Sequence, residues 1–358
     1  MVMEIKFEPR RGRLVIHAFG RKYDWIIEPR YWRNPVIGFL IWLSLPLIVT
    51  LVASLMNIKP VALISTLIFA NILIIVSIPL VLQIIGTGRV NFGPHFFVAL
   101  GGYTAALLSK NFGISPILTL PVSFIIGLLI GLALSPITII SRGVYFVLIT
   151  LLLPFILAEL AYWRSDIFGA ETGIPGVEVM VHTGNFMNDL IIYFYISFLI
   201  GFLYLLIVDR VLRSRYGFLM GVINEDEDIA AAYGIDVNRI KVIVFTFTSG
   251  AMAVAGWFLA HYQGSFTGPA WLTPAFLILV LLTTTLGGKG AIYGVVISGY
   301  VIAMLREVTR TTFGELSTVA LFLILLILLY LLREGFWGLY RKRRYREYEP
   351  SIRIRRKT

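Results

Sequence analysis

The sequence contains no cysteine, and only 14% of its 358 residues are charged. Without cysteine the chain has no disulfide, no thiolate metal site and no thiol nucleophile. Four histidines lie far apart, at His17, His95, His182 and His261, and lack the spacing of a metal site. Neither a carboxylate pair nor a nucleophile beside a base stands at the spacing of a hydrolase site. The residues therefore predict a chain that is not an enzyme and that holds no cofactor or metal.

Long hydrophobic runs dominate what is present. Hydrophobic residues make up 58% of the chain and the mean hydropathy is +0.85, whereas soluble domains are about 45–50% apolar. Runs near the roughly 20 residues that cross a bilayer predict an all-α, polytopic protein of about ten transmembrane helices in the cell membrane. The predicted crossings are 35–56, 61–85, 96–108, 116–140, 144–162, 190–208, 240–261, 272–286, 291–305 and 317–332.

Three of these runs are short and bordered by glycine: 96–108, 272–286 and 291–305. Short, glycine-interrupted runs are typical of broken or re-entrant helices. Nine or eleven crossings therefore remain open beside ten.

The net charge of +11 is explained by membrane topology. Ten crossings place both termini on one side, and 26 of the 31 Lys and Arg residues fall there. Cytoplasmic loops carry the excess of Lys and Arg, so both termini are predicted to be cytoplasmic and no nucleic-acid partner is required. The cations predicted on the other side are Lys59, Lys110, Arg164, Arg306 and Arg310.

The predicted domains follow from these runs. Residues 1–34 form a cytoplasmic segment in which the alternation of RLVIHAF and KYDWII indicates a β-hairpin. Residues 35–333 form the transmembrane domain, interrupted by a cytoplasmic loop at 209–241. Residues 334–358 form a basic, aromatic-rich tail suited to the anionic surface of the lipid bilayer.

The loop contains VINEDEDIAAAYGID, residues 222–236. Asn224 is a suitable N-cap, Gly234 suits the C′ position, and a helix of about nine residues is predicted between them. A helix this short is marginal alone, so it requires something to pack against. A solvated acidic turn is the alternative. The residues predicted to contact a partner are the acids Glu225, Asp226, Glu227 and Asp228, with Ile229, Ala230 and Tyr233 expected on one face.

A second candidate site is the glycine-bracketed stretch NFGPHF, residues 91–96. Glycine there allows either a broken helix that lines a cavity or simple close packing of helices, and both readings stay open. The translocation-path candidates from this stretch are Asn91, Phe92, Gly93, His95, Gly101 and Gly102. Asn71 and Glu159 are polar groups within predicted spans, and a structural role is the preferred reading for Glu159.

Several segments carry a family resemblance. RSRYGFLMGVINEDEDIAAAYGIDVNRIK, residues 213–241, resembles the cytoplasmic loop of permeases of branched-chain amino acid (Liv-type) ABC importers. The general importer signature is Glu-Ala-Ala, three residues, then Gly; here Asp228, Ile229 and Ala230 precede Gly234, and Ile229 departs from the pattern. The stretches 86–108, 171–177 and 284–299 are similar to other glycine-rich segments of the family. The resemblance runs from about residue 65 to residue 335, and ETGIPGV adds Thr172 and Gly173 to the path candidates.

The resemblance implies a permease subunit that moves branched-chain amino acids inward. It implies ABC ATPase subunits that bind the short helix of the loop, which would act as a coupling helix. It also implies a second permease in a heterodimer and an extracytoplasmic solute-binding protein. LGGKGA, residues 286–291, has Gly290 where a phosphate loop requires Ser or Thr, so ATP hydrolysis is expected on a partner chain. The alternatives are urea or short amides as substrate, an ATPase-independent secondary transporter or channel, and a membrane scaffold without transport.

Overall fold

The computed structural model describes residues 4–8, 13–18, 21–26, 60–288, 290–332 and 335–338. It divides into a unit at residues 1–58 and a unit at residues 59–358. The first predicted crossing, 35–56, lies outside the described residues, as do Lys289 and the tail beyond residue 338.

The N-terminal unit contains three antiparallel strands in sequential order: β1 (Glu4–Glu8), β2 (Arg13–Ala18) and β3 (Arg21–Ile26). Arg13 lies opposite Ile26, and Ala18 lies opposite Arg21. β2 and β3 therefore pair where the alternation predicts a hairpin. β1 adds a third strand, which the alternation did not indicate.

The second unit is helical. Its helices are α1 (Pro60–Thr87), α2 (Pro94–Phe112), α3 (Pro116–Leu134), α4 (Ile137–Ile140), α5 (Val144–Trp163), α6 (Ser165–Phe168), α7 (Phe186–Leu212), α8 (Arg215–Glu225), α9 (Glu227–Ala232), α10 (Val237–Gln263), α11 (Gly268–Trp271), α12 (Pro274–Gly287), α13 (Ile292–Phe313) and α14 (Ser317–Leu331). Proline opens α2, α3 and α12, where its missing N–H costs no hydrogen bond.

Six helices in the described part of the chain are long and apolar enough to cross a membrane. They are α1, α3, α5, α7, α10 and the stretch that begins with α13, while α12 is a shorter apolar helix. Of the alternatives left open for the short runs, a break within 96–108 is wrong, because this run lies inside α2, a continuous helix of 19 residues. Likewise 291–305 belongs almost entirely to α13, a continuous helix of 22 residues. The total of ten crossings stays a prediction.

The core of the second unit lies around α10, which packs against α1, α2 and α3. Glycines make the crossing of α10 with α2 close. A Cβ at Gly256 would collide with the carbonyl oxygen of Val98, and one at Gly101 would collide with the carbonyl oxygen of Ala253. Small residues at such crossings let helix backbones approach. The glycines at 101 and 256 are therefore packing positions in this fold.

Loop contacts define two faces of the helical unit. On one face, which contains the 209–241 loop and is called the coupling face below, Arg89 follows α1 and reaches the carbonyl oxygens of Thr138 and Ser141. On the opposite face, the two-residue strands β4 (Ile174–Pro175) and β5 (Ser265–Phe266) pair antiparallel. The loops on each face are therefore those that a chain crossing the membrane back and forth would place on the same side of it. The cytoplasmic assignment of the coupling face stays a prediction.

Candidate functional site

The coupling loop contains two short helices, α8 and α9. Asp226 caps α9 and accepts hydrogen bonds from the backbone N–H groups of Asp228 and Ile229, each at 3.0 Å. The predicted N-cap, Asn224, is wrong: it belongs to the last turn of α8, so α9 is six residues long rather than about nine. Gly234 follows the helix with φ +78°, a conformation that favours glycine.

The apolar residues of α9 divide between two faces. Ala230 is fully buried with Ile223 and Val237, whereas Ile229 and Tyr233 are 50% and 53% exposed. The expectation that all three share one face is therefore wrong. The buried alanine attaches the helix to its own chain, and the exposed pair is free to contact another molecule.

Glu227 points into the chain. One carboxylate oxygen accepts a hydrogen bond from Nη2 of Arg89 at 2.9 Å, and the other forms an ion pair with Nζ of Lys241. The side chains of Arg89 and Lys241 are only 7% and 0% exposed. We call Glu227, Arg89 and Lys241 the anchor triad. It joins α9 to the loop after α1 and to the start of α10.

The other acids of the loop remain at the surface. Asp228 forms an exposed ion pair with Arg142 at 3.2 Å, a kind of contact that contributes little to stability. Glu225 and Asp226 are exposed. The four acids predicted as one partner-facing set thus have separate positions, and Glu227 is committed to its own chain.

The pKa of Glu227 is lowered by its surroundings. Desolvation opposes ionisation, but the hydrogen bond from Lys241 and the charges of Lys241 and Arg89 outweigh it. A lowered carboxyl pKa stabilises the folded protein fully above the ordinary Glu pKa. That stabilisation is lost as the pH falls through the lowered value.

The capping role of Asp226 leads to a first prediction. Asp226→Ala removes the acceptor for two backbone N–H groups, so α9 should lose about 1 kcal/mol of local stability. Hydrogen exchange at the amides of Asp228 and Ile229 should accelerate, while Asp226→Asn, which retains the acceptor, should keep nearly the original rates. Equal exchange in the alanine and asparagine variants would contradict the capping role.

Of the predicted path residues in NFGPHF, Asn91, Phe92 and Gly93 lie between α1 and α2, and His95 lies in the first turn of α2. The side-chain N–H₂ of Asn91 donates to Oε1 of Gln83 at 2.8 Å, and its oxygen accepts from the N–H of Gly93 at 2.7 Å. Phe92 donates its N–H to the hydroxyl of Thr150 at 3.1 Å. His95 is 2% exposed, and its Nδ1 has no hydrogen-bond partner within the described residues. This buried polar cluster includes Gln83, which sequence reasoning missed.

The remaining path candidates lie elsewhere. Gly101 and Gly102 pack within α2, where a Cβ at Gly102 would collide with the ring of Phe266. Thr172 is exposed on the opposite face and donates its hydroxyl hydrogen to the carbonyl oxygen of Gly169 at 2.7 Å, beside the buried Gly173. The candidates thus do not form one cluster, and contact with a solute stays a prediction for each.

The two polar residues noted within spans differ in their surroundings. Asn71 is fully buried; it donates to the hydroxyl of Ser197 at 2.9 Å and accepts from Tyr300 at 2.5 Å. These bonds join α1 to α7 and α13. Glu159 is exposed on α5.

Arg89 and Lys241 are functional candidates that sequence reasoning missed. In the sequence, each counted only as one cation toward the excess of Lys and Arg on the side of the termini. The partner of Arg89 could not be read from the sequence, because 138 residues separate it from that carboxylate. The signal available was their position: a cation directly after α1 and another near the start of α10.

Comparison with known proteins places the chain in a family. The model described as "Branched-chain amino acid transport system / permease component" matches residues 62–332. The high-affinity branched-chain amino acid transport system permease protein LivM of Salmonella typhimurium is 28% identical over 258 residues, covering 66% of this chain and 60% of LivM. The chain therefore spans less than two thirds of that relative's length.

An archaeal relative and one solved structure are also similar. The probable branched-chain amino acid transport permease protein LivH of Methanocaldococcus jannaschii is 27% identical over 256 residues, covering 67% of this chain and 78% of LivH. The structure titled "PsaBC from Streptococcus pneumoniae in complex with Fab" aligns with 77% of this chain and 94% of its own at 19% identity and a TM-score of 0.42. Because the family model extends from α1 to the end of α14, the chain belongs to the family of permease components of branched-chain amino acid transport systems.

Proposed function

We propose that the chain is the permease subunit of an ATP-driven ABC importer for branched-chain or related amino acids. In this role it forms the translocation path and docks an ATPase through α9. The family match and the relatives named LivM and LivH support the substrate class. Because separate relatives carry the two permease names, we also propose a heterodimer with a second permease, two ATPase subunits and an extracytoplasmic solute-binding protein.

One observation carries the docking proposal: α9 is anchored on one side and open on the other. Ala230 and Glu227 attach it to the chain, while Ile229 and Tyr233 present apolar surface outward. An apolar pair one helical turn apart suits insertion into a groove on a partner. Ile229, where the loop departs from the importer signature, is thus part of the surface offered to the ATPase.

The anchor triad supplies a route for the motion. A displacement of α9 would act on Lys241 near the start of α10, the helix around which the core packs. It would also act on Arg89, which binds the carbonyl oxygens of Thr138 and Ser141 on the segment that leads into α5. Rigid helices joined by ion pairs and hydrogen bonds transmit such displacements. ATP binding outside the membrane would in this way move the spans.

Co-purification with the ATPase of the same importer tests the docking surface. Ile229→Asp places a charge on the exposed face, and we expect the co-purifying ATPase to fall about tenfold or more, as for an interface hot spot. Val179→Asp is the matched control, because Val179 is also an exposed apolar residue, at 38%, but follows β4 on the opposite face. An ATPase yield that is equal in both variants would refute docking through α9.

The same preparation separates the alternatives. Uptake of labelled leucine into vesicles that depends on ATP, ATPase and binding protein supports the importer. Uptake without ATPase would instead identify a secondary transporter or channel. No uptake with all subunits present would support a membrane scaffold without transport. Competition by urea or short amides in place of branched-chain amino acids would reassign the substrate.

A further inference from the structure

A cavity of about 650 Å³ opens near the opposite face, between the ends of α1, α10, α12, α13 and α14. Hydroxyl, aromatic and cationic groups all line it. Among the lining residues are Ser65, Phe69, Trp271, Arg306, Thr309 and Thr318. Its size is that of a small-molecule site, and its lining mixes apolar surface with a few polar groups as such sites do.

Arg306 is the distinctive group in this cavity. It lies seven residues before the end of α13, about 10 Å inside the helix end at 1.5 Å per residue. Its guanidinium carbon lies 4.3 Å from the ring centroid of Phe69, so an aromatic face holds the side chain.

Arg306 has no carboxylate partner among the described residues, in contrast to its neighbour. Arg310 forms two hydrogen bonds with the carboxylate of Glu307, at 3.0 and 2.6 Å, and so its charge is already balanced. The carboxylate of Glu307 therefore pairs with Arg310, and the planar N–H donors of Arg306 remain available to a ligand. Guanidinium groups match carboxylate and phosphate oxygens in geometry as well as in charge.

The surrounding residues supply the further contacts that an anion with an apolar part requires. The hydroxyls of Ser65 and Thr318 are lining groups that can donate a hydrogen bond to an oxygen atom, whereas the hydroxyl of Thr309 already donates to the carbonyl oxygen of Leu305 at 2.9 Å. Phe69 and Trp271 offer apolar surface beside them. A ligand with one oxyanion and one apolar part would use both halves of the lining.

We propose that this cavity binds an oxyanion, a carboxylate or phosphate, carried by a molecule with an apolar part, and that Arg306 supplies the charge. Two sources fit this chemistry: the headgroup of an anionic phospholipid and the carboxylate of a branched-chain amino acid. The phospholipid source is independent of the proposed transport function, whereas the amino acid source rests on it.

Equilibrium binding to the purified full chain in neutral detergent tests the site. The probes are isotopically labelled leucine and a short-chain phosphatidylglycerol, with phosphatidylcholine of the same tails as the uncharged comparison. Arg306→Gln should weaken binding of the ligand about tenfold or more, the loss expected when a charged hydrogen-bonding group is removed. Arg306→Lys, which keeps the charge, should retain part of the affinity.

Arg164→Gln is the matched control, since Arg164 is a cation on the same face that pairs with Asp166 outside the cavity. It should bind like the unmodified chain. If Arg306→Gln weakens the binding of phosphatidylglycerol but not of leucine, the cavity is a lipid site. If it weakens the binding of leucine but not of phosphatidylglycerol, the cavity is a solute site. No binding of either probe, or equal binding in Arg306→Gln and Arg164→Gln, overturns the proposal. Because the assay contains no ATPase or ATP, its failure is distinct from failure of the importer proposal.

Discussion

Replacing Glu227 with glutamine is expected to lower the free energy of unfolding by about 3 kcal/mol, as for a buried ion pair that loses one partner. Lys241 is 0% exposed and Arg89 is 7% exposed, so neither cation can recover its hydration in the folded state. Titration with a denaturing detergent in mixed micelles measures the change.

Glu225→Gln is the matched control for this result. It makes the same chemical change two residues earlier, at an exposed position, so its effect should stay within about 0.5 kcal/mol. Equal destabilisation by the two substitutions would show that the anchor triad contributes nothing.

A second substitution tests the cause. Lys241→Met added to Glu227→Gln removes the stranded ammonium and fills its space with a flexible apolar side chain. The double variant should therefore recover at least part of the lost stability, although Lys241→Met alone leaves Glu227 with Arg89. Additive losses in the double variant would refute a charge pairing between Glu227 and Lys241.

Gly256→Ala is expected to destabilise the helical unit by about 3 kcal/mol or more, at the upper end of the cost of overpacking. The added Cβ would collide with the carbonyl oxygen of Val98 and lie 2.5 Å from the backbone nitrogen of Gly102. Backbone atoms cannot turn aside, so α2 and α10 must separate. The fraction of folded monomer, followed by size-exclusion chromatography, should fall steeply.

Gly299→Ala provides the comparison for this crossing. Its Cβ would meet the side chain of Ile74 at 2.7 Å, and a side chain can change rotamer where a carbonyl cannot. We expect a clearly smaller loss. If the two alanine variants unfold alike, the crossing of α2 with α10 is looser than the glycine contacts require.

The predicted helices were readable from the sequence because each depends on residues that are near one another in the chain. Apolar runs long enough for a bilayer require helices, since every backbone hydrogen bond must be made internally in lipid. The run 96–108 is instructive: its glycines left both a break and close helix packing open, and in α2 they allow a close crossing. Only the partner helix, more than a hundred residues away, distinguishes these two uses.

The coupling loop also separates features that the local sequence decides from features that require tertiary contacts. Asn224 and Asp226 are both good caps, and the choice between them depends on where α8 ends. Ile229 and Ala230 are adjacent residues, so helical geometry turns them about 100° apart. Which of them is buried depends on Ile223 and Val237, which the helix contacts only after the loop has folded.

By itself, the sequence determined the class of protein, the expected orientation of its loops and the presence of a short acidic helix, because composition, charge bias and short motifs can be read without knowing which distant segments meet. Tertiary structure alone decided that Glu227 faces inward to Arg89 and Lys241, that Ile229 and Tyr233 face outward, and that Arg306 lines a cavity. Those assignments depend on contacts between distant segments. Burial makes such contacts strong, and no local pattern encodes which segments will meet.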